Sequence, residues 1–74
     1  MSKETVFPGP DLLRHVRAGL VLRGTSLRHH AETVEGVTIQ TARINLLGQR
    51  NGPKARALRA RLAEAAGVSY QEAA

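Results

Sequence analysis

The segment Ala31–Gly48, AETVEGVTIQTARINLLG, carries two short helical patterns divided at Gly36, with no proline between them. Ile39, Ala42 and Leu46 recur at the spacing of one buried helix side. Gln40, Thr41 and Ile44 fall on the other side, and Arg43 lies at the boundary. A helix that existed only to fill a core would not need such a polar face. Thr38 is placed to cap this helix, and Gly48 ends it before the polar turn QRNGP.

Upstream, Ser26 caps a short helix reading LRHHAETV. Its expected inner face is Leu27, His30, Ala31 and Val34, with Arg28, His29 and Glu32 outward. A further helix runs from about Asp11 to Leu22, with Leu13, Val16 and Leu20 as its buried stripe. Asp11 suits its first turn, where a negative charge complements the helix dipole. Gly19 in its middle allows close packing of a neighbour. Residues 1–9, MSKETVFPG, read as an arm, with Val6 and Phe7 available to dock on the core.

Downstream, Pro53 opens a helix reading PKARALRARLAEAAG, where its missing N–H costs nothing. Ala55, Leu58, Leu62 and Ala65 are its expected buried face, and Gly67 its end. Residues 68–74 form a tail or one more turn capped by Ser69. The organisation is an arm over 1–9, one domain over 10–67 and the short tail. The fold class is all-α, compact, with four to five helices.

Composition agrees. Seventy-four residues make one small domain. Phe7 and Tyr70 are the only aromatics and there is no cysteine. The core therefore consists of Leu, Val, Ile and Ala, without a disulfide or a thiolate metal site. A core of this size is worth a few kcal/mol, so a homodimer or a bound partner would add usefully to stability. No apolar run approaches the ~18 residues of a membrane span, and no signal-peptide pattern follows Met1. The expected location is cytoplasmic.

The net charge is +5, unevenly spread. Between Thr38 and Arg61 lie Arg43, Arg50, Lys54, Arg56, Arg59 and Arg61, and no acid. A one-signed cluster is the footprint of a polyanion binder. The arginines of the last helix point in several directions, so at most two share one side, and Arg61 is a candidate to cover the core with its stem.

Two short helices joined at a glycine, Ser26 to Leu47, have the sequence form of a helix-turn-helix. In that motif the second helix enters the DNA major groove, which is about 12 Å wide. It needs only two or three turns, and Gln is a side chain that pairs bidentately with adenine. This accounts for a short helix with a polar face.

The chain also resembles a known family. AGLVLRGTSL, then Gly36-Val37 with a helix ending at Leu46, then NGPKARALRARL, is similar to the Ner-type phage regulators of the lambda-repressor-like helix-turn-helix group. The matching pieces are Ala18-Gly19-Leu20, Arg23-Gly24-x-Ser26-Leu27 and Pro53-Lys54, within residues 14–66. Against that pattern, Gly36 stands five residues after Ala31 rather than four. His30 stands where a core leucine is usual, and the family's tryptophan-containing tail is missing.

The resemblance implies an all-helical, sequence-specific DNA-binding regulator of phage transcription. Double-stranded DNA is its partner, and a second copy or the transcription machinery are further candidates. Carried over by position, Gln40, Thr41 and Arg43 face the groove and Ile44 contacts a thymine methyl. Arg28 and Thr38 sit at helix N-termini suited to phosphate. Arg50, Asn51 and Lys54 flank the end of the groove helix and hold phosphates, which set register rather than sequence.

Other readings stay open at this point. Gln40 and Thr41 also suit a merely solvated face, and Arg43 also suits an ion pair with Glu32 or Glu35. Asn45 flanks the buried stripe and is read as an internal hydrogen-bonder. An adaptor that binds another protein, for example RNA polymerase or a phage protein, would use outward Ile44 and Leu47 as anchors. His15, His29 and His30 lack ligand spacing, since adjacent helical residues diverge by about 100°. No nucleophilic triad or phosphate-cradling loop is present. The expectation is no enzyme, no metal and no cofactor.

Overall fold

The computed structural model describes residues 5–72, and it places four helices and no strand among them. In chain order these are α1 (Pro10–Leu22), α2 (Leu27–His30, continued by a π-helical turn, Ala31–Glu35), α3 (Ile39–Leu46) and α4 (Pro53–Ala66). The all-α expectation holds with four helices. No helix among the described residues is long and apolar enough to cross a membrane.

Local chemistry fixes each boundary. Pro10 opens α1 and Pro53 opens α4, where the missing N–H is one of the unpaired first-turn donors anyway. The Ser26 hydroxyl accepts from the His29 N–H at 3.1 Å, and the Thr38 hydroxyl accepts from the Thr41 N–H at 3.2 Å. Both are N-caps of the expected kind. At the end of α2, Gly36 is left-handed with φ 67°, a conformation that costs an L side chain roughly 1–2 kcal/mol.

The five-residue step from Ala31 to Gly36 has a definite structural basis. The N–H of Gly36 reaches back five residues to the Ala31 carbonyl, which also accepts from Val37 at 2.9 Å. One widened turn accommodates this step inside the helix, so the connection to α3 stays short.

The core is aliphatic: Leu12, Val16, Leu20, Leu27, Ala31, Ala42, Leu46, Leu58, Leu62, Ala63 and Ala66 are buried. α1 packs on α4, α3 also packs on α4, and α2 leans on α1 and α3. Gly19 sets the α1–α4 approach, because a Cβ there would lie 2.2 Å from the Ala66 carbonyl oxygen. Arg23 reaches that same carbonyl and donates to it at 2.7 Å, satisfying an orphan acceptor at the negative end of α4.

Several expected positions differ. On α1 the buried stripe is Leu12, Val16, Gly19 and Leu20, and Leu13 is half-buried at its margin. Val34 is 65% exposed and Phe7 is 46% exposed, so neither docks as expected. The π-helical turn explains Val34, since widening the helix rotates the residues beyond Ala31 away from the α-helical register. Val6 does pack on the core, and Gly9 donates to the Leu46 carbonyl at 2.9 Å.

Residues 68–72 add no helical turn. They run back along the molecule, and Gln71 donates to the Val6 carbonyl at 2.9 Å. The expected extension over residues 73–74 lies outside the described residues.

Arg59 holds this tail. Its side chain is fully buried, in the middle of the α4 stripe between Ala55, Leu62 and Ala66. Its Nε donates to the Asn45 carbonyl at 2.8 Å, and its Nη2 donates to the Arg50 carbonyl at 2.7 Å and to Asn51 Oδ1 at 3.1 Å. Its Nη1 pairs with the Glu72 carboxylate, whose other oxygen accepts from the Tyr70 hydroxyl at 3.1 Å. One guanidinium thus joins the end of α3, the α3–α4 turn and the tail. Its planar fork of donors suits several fixed acceptors at once.

Candidate nucleic-acid interface

α3 buries Ala42, Asn45 and Leu46 and turns its other side outward. Gln40, Thr41 and Arg43 are exposed, and Ile44 and Leu47 are half-buried beside them. By helical periodicity Gln40, Arg43, Ile44 and Leu47 form one stripe, and Thr41 borders it. The Thr41 hydroxyl accepts from the Thr38 hydroxyl at 3.1 Å. Asn45 is buried and donates to the Thr41 carbonyl at 2.8 Å, the internal role expected of it.

The expected phosphate-binding residues divide into two groups. Arg28 lines a concavity of about 320 Å³ that it shares with Arg43 and with Arg17 of α1. Arg50 and Lys54 lie together on the surface of the α3–α4 turn. Thr38 and Asn51 are already employed inside the chain. The Thr38 hydroxyl caps α3. Asn51 donates to the Gly48 carbonyl at 3.2 Å while its oxygen receives Arg59. Asn51 therefore shapes the turn that presents Arg50 and Lys54.

Charge pairing sorts the cations. Arg14 pairs with Asp11, Arg61 with Glu35 at 2.9 Å, and Arg59 and Arg56 with Glu72, the latter at 4.0 Å. Arg23 is held by the Ala66 carbonyl. Among the described residues, no carboxylate lies within ion-pair distance of Arg17, Arg28, Arg43, Arg50 or Lys54. The alternative pairing of Arg43 with Glu32 or Glu35 is absent among the described residues, and Glu35 pairs with Arg61 instead. Among the described residues, the lysine and arginine side chains left without a carboxylate or carbonyl partner lie around α3 and the turn that follows it.

Two important residues have no clear signature in the sequence. Arg59 is marked only as an arginine on the apolar period of α4, since it is four residues from Ala55 and three from Leu62. Arg17 gives no local signal, because its significance comes from α1 lying beside α2 and α3. Large apolar side chains are most exposed away from α3: Leu22 at 87%, Val21 at 64% and Val34 at 65%.

No family model, curated protein or solved structure matches the chain.

Proposed function

We propose that the α2–α3 pair is a helix-turn-helix and that the protein is a sequence-specific DNA-binding regulator of the phage type that its sequence resembles. The observation that carries this reading is the outward side of α3. It is uncovered, bears Gln40, Thr41 and Arg43, and is surrounded by cations without carboxylate partners. α3 enters the major groove, with Gln40 and Thr41 at base edges and Ile44 against a thymine methyl. Arg28, Arg50 and Lys54 grip the backbone and fix the register. Occupancy of a site beside a promoter then represses or activates transcription, in the compartment that holds the DNA.

The decisive experiment is selection of bound duplexes from a random library, followed by binding measured against salt. Log Kd is expected to vary with log salt at about 0.9 per phosphate contacted. Gln40→Ala is expected to weaken the selected site by about 1–3 kcal/mol and to flatten preference at one base pair. Lys54→Ala weakens every duplex alike. A palindromic site indicates a two-fold dimer with half-site centres about 34–36 Å apart. Failure to bind any duplex overturns the proposal. The rival adaptor reading has little apolar surface on α3 to work with, and it requires protein binding that salt barely alters.

A further inference from the structure

The concavity between α1, α2 and α3 concentrates positive charge in an unusual way. Arg17, Arg28 and Arg43 come from three separate helices and line one space of about 320 Å³, together with exposed Val21, buried Leu27 and half-buried Ile39. Ser26 is also on its wall, where its hydroxyl oxygen accepts from the His29 N–H. None of the three guanidiniums has a carboxylate within ion-pair distance among the described residues. Three exposed like charges around one concavity repel one another, at the modest strength of groups that water and salt screen. An anion seated among them converts the repulsion into attraction. The planar, forked guanidinium is the side chain best matched to phosphate oxygens.

We propose that Arg17, Arg28 and Arg43 form a three-helix clamp for a DNA backbone phosphate, and that Arg43 serves this phosphate and not a base edge. The inference rests on the DNA-binding reading and adds Arg17 to the interface. A duplex phosphate is favoured over a free anion because the concavity is continuous with α3. Ile39 and Arg43 belong to that helix, and Arg43 shares its outward stripe with Gln40. A duplex lying on Gln40 carries its sugar–phosphate strand across the edge where α1 and α2 meet α3. The clamp then fixes the angle at which α3 lies in the groove.

The test is salt-dependent binding of Arg17→Ala, Arg28→Ala and Arg43→Ala to a selected and a random duplex, with Arg14→Ala as the control. Arg14 lies on the same helix as Arg17, has the same charge and is paired with Asp11 outside the concavity. Each clamp variant is expected to weaken both duplexes by the same factor. Removing one phosphate-bound arginine should reduce the rise in Kd between 50 and 200 mM salt by about 3.5-fold. Arg14→Ala should leave that rise unchanged. All four sites are exposed, and a thermal melt verifies that each variant is folded.

If wild type binds DNA but Arg17→Ala and Arg28→Ala keep the full salt response, the clamp is overturned while the DNA-binding reading stands. If Arg43→Ala flattens preference at one base pair and leaves the salt response intact, Arg43 reads a base and the assignment fails. Saturable binding of inorganic pyrophosphate that Arg17→Ala abolishes, with an unchanged DNA salt response, reassigns the concavity to a free anion. A wild type that binds no duplex removes the reading on which the clamp depends.

Discussion

At Gly19 the side chain is a hydrogen atom, and it lies where a methyl carbon would collide with the Ala66 carbonyl. Gly19→Ala gains about 1 kcal/mol in helix propensity but forces α1 and α4 apart, an overpacking cost of about 1–3 kcal/mol or more. The expected result is a lower Tm, by about 4–8 °C for each kcal/mol of stability removed in a chain of this size. Arg59 offers a sharper case. Arg59→Met strips donors from the Asn45 and Arg50 carbonyls and leaves Glu72 without its buried partner. Each buried carbonyl left without its donor costs about 1–3 kcal/mol, measurable as a large drop in Tm or as failure to fold. Arg59→Lys restores charge but not the fork, so its melt should fall between the two. The sequence is least legible at this scale, because a buried arginine looks like a surface one until its acceptors are brought to it by other elements.

Among the elements, α2 and its neighbours are the most legible. Ser26 and Thr38 as caps and Gly36 as a terminator follow from residue type alone, since each role is satisfied within a few residues. Gly36→Ala forces a left-handed alanine and is expected to cost about 1–2 kcal/mol, seen as a Tm decrease without loss of helical circular dichroism at low temperature. The tail is less legible. Ser69 suggests another helical turn, whereas the pull of Arg59 on Glu72 lays residues 68–72 along the body. That arrangement leaves a signature in pH. Burial, and then the neighbouring Glu72, push the Tyr70 hydroxyl above its usual value of 10.0. The neutral phenol is thus favoured in the fold. Its contribution is fully present below about pH 10 and is lost as pH rises through the higher folded value. Tyr70→Phe is expected to flatten that alkaline decline in Tm; an identical decline in both proteins would refute the assignment.

For the whole molecule, the governing fact is how positive charge is divided between internal and outward duties. The chain carries +5, yet Arg14, Arg23, Arg56, Arg59 and Arg61 are engaged by its own atoms. The overall basic balance of the surface around α3 is visible in the sequence; the division is not, because it depends on which acids fold back onto which arginines. A bound duplex at 100 times its Kd is expected to add about 2.7 kcal/mol of stability. A Tm that ignores added duplex at low salt would count against an interface on this face. The wide ring that closes α2 has a consequence for changes of length in this chain. A residue inserted into that ring is expected to be taken up as slack before Thr38, so that α3 keeps its footing while the chain lengthens. Added length there belongs to the coil of α2 and not to the link after Gly36, and a helix content that rises with the insertion would be its mark.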